Sequence, residues 1–122
     1  MKIFIADDSD ILRKHLTTLL AEISGIKIVG YAEDSDAAIA GIQAKHPDVV
    51  ILDIRMPGAG GIHVLRTIRQ IYPDLPIIIF TDYPYPQYRK KCLEEGTAYF
   101  FDKSSESEKL IELIRKIAKN GA

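Results

Sequence analysis

The sequence predicts an α/β fold in which helices cover both faces of a five-stranded parallel sheet. Short apolar runs alternate five times with longer stretches whose apolar residues recur at helical spacing. The run Val-Val-Ile-Leu at residues 49–52 is apolar at consecutive positions, which is typical of a strand buried on both faces. Strands that alternate with helices are usually parallel, and their crossovers place helices on both sides of the sheet.

The first half of the chain is predicted to supply three strands and two helices. The apolar runs place strands at residues 3–6, 26–32 and 48–52. Ser9 is a suitable cap for the first helix and Ser35 for the second. We expect the second helix to end near His46, because Pro47 disfavours helical geometry in the residue before it.

The second half is predicted to add two strands and three helices. A third helix and two further strands are expected at residues 62–71, 76–80 and 98–101. Pro86 is suited to the first turn of a short, polar fourth helix, with Cys92 and Leu93 facing inward. Ser105 and Glu108 have the spacing of a capping box at the start of the fifth helix.

Length and composition indicate one ordinary globular domain. The 122 residues suffice for a buried core, and we expect no separate output domain. The formal net charge of −1 gives no basic excess for binding nucleic acid. A single cysteine excludes an internal disulfide, and no apolar stretch has the length of a signal peptide core or a membrane span. We therefore expect a cytoplasmic location with no membrane contact.

Polar residues follow four of the five predicted strands. They are Asp7, Asp8, Asp53, Thr81 and Lys103. Taken singly, each has an ordinary structural interpretation, since acids and hydroxyls cap turns and a lysine at a strand end is usually solvated. Together they place three carboxylates, a hydroxyl and an ammonium at the carboxyl edge of the sheet, where open α/β folds bind ligands.

This set of groups is typical of phosphoryl chemistry with a hard cation. Clustered carboxylates repel one another unless a cation is shared, and ligands that are all oxygen favour Mg²⁺ over zinc. Because Mg²⁺ often also binds phosphate oxygens, Lys103 and Thr81 are expected to contact a phosphoryl group. Asp53, which follows the central strand, is a candidate nucleophile that would form an aspartyl phosphate.

The order of these residues resembles the response-regulator receiver domain of two-component signalling. The matching positions are Asp7-Asp8, Asp53 before Met56-Pro57-Gly58, Thr81, Gly96-Thr97-Ala98 and Lys103. The resemblance implies a flavodoxin-like, doubly wound sheet of strand order 2-1-3-4-5. It implies that a histidine kinase or phosphotransfer protein phosphorylates Asp53 with Mg²⁺ present. It also implies that Mg²⁺ is held by Asp7, Asp8, Asp53 and the backbone carbonyl of Arg55.

Three positions depart from the usual pattern of that family. Asp82 stands where a small residue is usual, and we expect it either to slow phosphoryl transfer or to cap the following turn. Ser104 replaces the proline that usually follows the lysine. Phe100 replaces the frequent tyrosine at the switch position, so it offers no hydroxyl to a partner. Tyr83 and Tyr85 are expected either to border a switch surface on helix four, strand five and helix five, or merely to pack the fourth helix.

Two alternative functions remain open from the sequence. The first is a module of receiver shape that binds a protein partner without phosphorylation. The second is a Mg²⁺-dependent phosphatase with an aspartyl nucleophile, as in the haloacid dehalogenase fold. That chemistry needs a second acid two residues after the nucleophile, where this chain has Arg55.

Overall fold

A computed structural model describes residues 1–97 and 99–120, in which five strands alternate with five helices. The strands are β1 Lys2–Ala6, β2 Lys27–Ala32, β3 Val49–Leu52, β4 Ile77–Thr81 and β5 Tyr99–Asp102. The helices are α1 Asp10–Ala21, α2 Ser35–Lys45, α3 Gly61–Ile71, α4 Pro86–Glu94 and α5 Ser107–Asn120. All strand pairs are parallel, in the order β2-β1-β3-β4-β5. The predicted fold class and strand order are confirmed.

The sheet separates two apolar layers, because successive residues of a strand point to opposite faces. On one face, Phe4, Val50 and Ile79 pack against α2, α3 and α4. On the other face, Ile51 and Phe80 pack against α1 and α5. None of the helices in the described part of the chain is long and apolar enough to cross a lipid bilayer.

The N-cap of α2 is not the residue predicted from the sequence, and the difference affects the loop that follows β3. Asp34, not Ser35, is the cap: its backbone is extended and its carboxylate accepts a hydrogen bond from the Ala37 amide at 2.8 Å. Ser35 is fully buried, and its hydroxyl accepts a bond from the Ala59 amide at 2.9 Å. This bond ties α2 to the loop that follows β3, so the hydroxyl serves a tertiary contact and not a cap.

Two predictions for the second half were also wrong. Cys92 is buried as expected, but Leu93 is 52% exposed, because the short α4 turns only a narrow face toward the sheet.

Ser105 and Glu108 do not form the predicted capping box at the start of α5, which begins at Ser107. The Ser105 hydroxyl instead donates to Asp102, and the Glu106 carboxylate accepts from the Asp102 amide at 3.0 Å. Residue 98, the predicted first residue of the fifth strand, lies outside the described residues.

Candidate functional site

The parallel sheet brings the polar residues that follow β1, β3, β4 and β5 to one edge. β1 and β3 are neighbours in register, with Ala6 paired to Leu52, so the residues that follow them are adjacent. The Asp53 amide donates to the Ala6 carbonyl at 3.0 Å, and the Lys103 amide donates to the Thr81 carbonyl at 2.9 Å. Asp53 and Lys103 are therefore each positioned by a backbone hydrogen bond to the neighbouring strand.

Lys103 links two of the acids through a buried ion pair. Its ammonium lies 2.6 Å from Asp7 Oδ2 and 2.9 Å from Asp53 Oδ2, and its side chain is only 8% exposed. Burial raises the pKa of the Asp7 carboxyl, because desolvation disfavours its charged form by more than the contacts with Lys103 and the Ser9 amide favour it. Burial alone would lower the pKa of Lys103, but its contacts with the two acids outweigh that effect and raise it.

The acids are arranged so that they can hold a cation. One carboxylate oxygen from each of Asp7, Asp8 and Asp53 lies within 4.8 Å of the others. Asp53 Oδ1 is buried and has no hydrogen-bond partner among the described residues. Because a buried carboxylate oxygen without a partner is costly, this atom favours a ligand at the site, either a cation or a group that reacts with the oxygen. The oxygen-only ligand set fits Mg²⁺.

The backbone of Asp53 and Ile54 is in close contact with Gly61, the first residue of α3. The Gly61 amide donates to the Ile54 carbonyl at 2.7 Å. A Cβ atom at Gly61 would overlap the backbone carbonyl of Asp53, so no other residue fits without moving the acid. No sequence pattern indicates this contact, because it depends on how α3 packs against the end of β3.

Thr81 ends β4, and Asp82 begins the β4–α4 loop. Thr81 is fully buried, and its hydroxyl accepts a hydrogen bond from the Tyr83 amide at 3.1 Å. Asp82 is exposed. The two residues therefore have different surroundings although they are adjacent in sequence.

An arginine–tyrosine cluster covers the outer side of this loop. The guanidinium of Arg55 lies 4.4 Å from the ring centroid of Tyr83 and 3.4 Å from the hydroxyl of Tyr88. Tyr85 continues the cluster, with its ring 5.8 Å from that of Tyr88. The resemblance implied a role only for the Arg55 backbone carbonyl, so the side-chain contact was missed. No sequence pattern indicates it, because Arg55 and Tyr83 are distant in the chain.

Phe100 lies inside the domain, on the same face of the sheet as α4. It is 5% exposed, and the guanidinium of Arg89 lies over its ring at 4.7 Å. The aromatic ring at the predicted switch position is therefore buried in this structure, and the guanidinium of Arg89 on α4 covers it.

The comparisons with known proteins identify the family. The response regulator receiver domain family matches residues 3–115. The chain belongs to this family. It is 28% identical to the response regulator GacA of Pseudomonas aeruginosa, over 96% of this chain and 55% of that protein. It is 29% identical to the response regulator UvrY of Escherichia coli O157:H7, over 96% of this chain and 54% of that protein.

Solved receiver structures share this fold closely. A LuxR-family two-component response regulator from Aurantimonas sp. matches with a TM-score of 0.89 and 31% identity, over 98% of this chain and 85% of that one. A CheX–CheY complex with BeF3 and Mg²⁺ from Borrelia burgdorferi matches with a TM-score of 0.87 and 27% identity, over 96% and 88%. The chain spans about half the length of the curated relatives it matches. Family membership places it among the receiver domains of two-component response regulators, a class of phosphoacceptors.

Proposed function

We propose that this receiver domain is a phosphorylation-controlled switch, in which Asp53 accepts a phosphoryl group from a histidine kinase or phosphotransfer protein. One observation carries the proposal. Asp53 Oδ2 is held by Lys103, whereas the buried Oδ1 has no partner among the described residues. An acid that is fixed at one oxygen and free at the other is well prepared to act as a nucleophile.

In the proposed transfer, a carboxylate oxygen of Asp53 attacks the phosphorus of a phosphohistidine. The new O–P bond forms as the P–N bond breaks, and the leaving nitrogen keeps the bonding electrons and takes a proton from solvent. The Lys103 ammonium faces the phosphoryl oxygens and offsets their charge. The Thr81 hydroxyl is available as a further donor to those oxygens.

The acid cluster fits the cation that receiver domains bind. We propose that Asp7, Asp8 and Asp53 hold Mg²⁺, together with the backbone carbonyl of Arg55. When bound, the ion would supply positive charge to the phosphoryl oxygens during transfer. The observation that supports this role is the arrangement of the three acids, since one carboxylate oxygen from each lies within 4.8 Å of the others.

Phosphorylation with a small donor tests the acceptor. With acetyl phosphate and Mg²⁺, the wild-type chain should gain one phosphoryl group, detected by intact mass and lost on treatment with base or hydroxylamine. Asp53→Asn should gain none. Asp36→Asn is the matched control, because Asp36 is an exposed acid in the first turn of α2, and it should react like wild type. Stoichiometric labelling of Asp53→Asn would refute the assignment.

We propose that the phosphorylated state is read at the surface formed by α4, β5 and α5. The Thr81 hydroxyl accepts a bond from the Tyr83 amide, so drawing this hydroxyl toward a phosphoryl group would release the start of the β4–α4 loop. Arg89 connects α4 to the buried ring of Phe100, which offers a route by which the change reaches β5. Tyr83 and Tyr85 would border the surface met by a protein partner, since aromatic residues are common at interfaces.

Beryllofluoride, an analogue of the phosphoryl group, tests this readout by nuclear magnetic resonance. Amide shifts should spread from Thr81 through residues 83–97 and 99–103. Asp53→Asn should show none, because the analogue needs the acceptor carboxylate. Shifts confined to the residues around Asp53 would contradict the switch, since a population shift requires different contacts in the two states. They would favour a domain whose partner binding does not depend on phosphorylation.

A further inference from the structure

Arg13 is a buried arginine of α1 that joins three parts of the chain beside the acid pair. Its side chain is only 9% exposed. One nitrogen, Nη1, donates to the backbone carbonyl of Asp7 at 2.6 Å. The other, Nη2, donates to Glu33 at 2.8 Å and to Asp10 at 3.1 Å. A buried guanidinium is costly unless its donors are satisfied, so this arrangement indicates a specific role for Arg13.

The contact with Asp7 fixes the peptide group that connects the two acids of the β1–α1 loop. The carbonyl of Asp7 belongs to the planar peptide bond between Asp7 and Asp8, so a bond to that oxygen orients the whole plane. Other groups of Asp7 are held separately: its amide donates to the Ala32 carbonyl at 2.9 Å, and its Oδ1 accepts from the Ser9 amide at 2.8 Å. Arg13 supplies the contact that reaches the link to Asp8.

The charge of Arg13 is balanced where it lies. Its guanidinium contacts the carboxylates of Asp10 and Glu33. Lys14 pairs with the same Asp10, so the four groups together carry no formal net charge. A cation bound at the acid pair would therefore meet no uncompensated positive charge from α1. The guanidinium can hold the loop without repelling the ion that the loop is built to bind.

We propose that Arg13 is a positioning residue for Mg²⁺: it orients the Asp7–Asp8 peptide so that both carboxylates face the ion. The inference rests on the proposed function, since it assumes that the acid cluster binds Mg²⁺. Mg²⁺ demands near-ideal octahedral geometry and loses affinity when its ligands are misdirected. Groups that orient the ligands of a metal, without touching it, typically change metal affinity by about 10- to 100-fold when they are removed.

Titration calorimetry of Mg²⁺ into the metal-free chain tests the role of Arg13. Arg13→Met keeps a long side chain but removes every donor, and we expect it to weaken Mg²⁺ binding by about 10-fold. Arg13→Lys keeps the charge and one donating group, and should fall between Arg13→Met and wild type. Lys14→Met is the matched control, because Lys14 also pairs with Asp10 but is 78% exposed. It should bind Mg²⁺ within about twofold of wild type, as expected for an exposed ion pair.

The direction in which the Mg²⁺ affinity of Arg13→Met changes distinguishes a positioning role from an effect of the positive charge alone. If Arg13 influenced the site only through its positive charge, removing it would strengthen Mg²⁺ binding, and a tighter Arg13→Met complex would overturn the inference. Unchanged affinity would overturn it as well. Wild-type protein that binds no Mg²⁺ would instead refute the metal site of the proposed function, and this inference with it.

Comparison with Ca²⁺ separates positioning from a general loosening of the fold. Ca²⁺ accepts irregular coordination, so Arg13→Met should weaken Mg²⁺ binding several-fold more than Ca²⁺ binding. Equal losses for the two ions would mean that the variant only loosens the domain, which contradicts the inference. Unfolding in metal-free buffer establishes that each variant is folded at the titration temperature. If Arg13→Met does not fold, the same ratio measured for Arg13→Lys decides the question.

Discussion

The two loops on either side of Asp53 are held by different kinds of contact. In the β1–α1 loop, Asp7 is buried, it forms an ion pair with Lys103, and its backbone is fixed by Arg13. In the β4–α4 loop, Asp82 is exposed, and Tyr83 is covered by the exposed guanidinium of Arg55. Buried ion pairs with satisfied hydrogen bonds keep one geometry, whereas exposed cation–aromatic contacts exchange readily with solvent.

This contrast matches what the two loops must do in the proposed switch. The side that holds Mg²⁺ needs one fixed geometry, because the ion tolerates little distortion. The side that reports phosphorylation needs two arrangements of similar free energy, because a ligand can shift only a balanced equilibrium appreciably. Removing a contact of the β1–α1 loop should therefore lower the free energy of unfolding substantially. Removing a contact of the β4–α4 loop should change it little.

The largest effect is expected at Lys103. Lys103→Met leaves Asp7 and Asp53 buried without their shared cation, and removing one partner of a buried ion pair costs about 3–5 kcal/mol. Urea unfolding without Mg²⁺ measures this loss. Added Mg²⁺ should stabilise the variant more than wild type, since it would replace the missing positive charge.

A second lysine provides the control for this measurement. Lys109 also pairs with a carboxylate, that of Glu106 at 3.1 Å, but its side chain is 66% exposed. Lys109→Met should change stability by less than about 1 kcal/mol, whether or not Mg²⁺ is present. Equal losses for the Lys103 and Lys109 variants would show that the buried ion pair does not hold the site together.

A smaller effect is expected at Asp82, in the exposed loop. Its carboxylate would oppose the approach of an anionic phosphodonor or hinder the water that removes the phosphoryl group. Asp82→Ala should therefore accelerate phosphorylation by acetyl phosphate, dephosphorylation, or both, by about fivefold, which is roughly 1 kcal/mol of activation free energy. Both rate constants, measured at low and high salt, test this, and the gain should shrink as salt screens the charge. Asp82→Asn should behave similarly, and unchanged rates in both variants would leave Asp82 a turn residue only.

The smallest effect on stability is expected at Arg55. Because the guanidinium is exposed and lies on the outside of the loop, Arg55→Gln should leave the thermal unfolding midpoint unchanged within error. The side-chain and amide resonances of Tyr83 and Tyr88 should nevertheless shift, because the cation above one ring and beside the other hydroxyl is gone. A clear drop in the midpoint would show that the β4–α4 loop is held as firmly as the β1–α1 loop.

The sequence predicted the alternating strands and helices and the polar edge because both follow from local patterns, whereas the strand order was implied by the resemblance to receiver domains. Apolar runs located the strands, and parallel pairing then brought Asp7, Asp53 and Lys103 together. The contacts of Arg13 and Arg55 could not be predicted in this way. Arg55 and Tyr83 are distant in the chain, as are Arg13 and Glu33, and the bond from Arg13 to the Asp7 carbonyl follows no sequence pattern. A charged residue on a helix or loop is, moreover, usually solvated. The cap of α2 was misassigned for a related reason: Asp34 and Ser35 are both good caps, and only the tertiary contact with Ala59 decides between them.

The tyrosines of the arginine–tyrosine cluster offer a way to observe the state of this domain. The chain contains six tyrosines and no tryptophan, so its ultraviolet emission comes from tyrosine alone. Three of these rings, Tyr83, Tyr85 and Tyr88, form a chain of neighbours with centroids 5.8–6.4 Å apart, beside the loop that follows Thr81. A rearrangement that separates Arg55 from Tyr83 would change the emission of this group directly. If phosphorylation moves this loop as proposed, tyrosine emission should report the kinetics of that change without any added label.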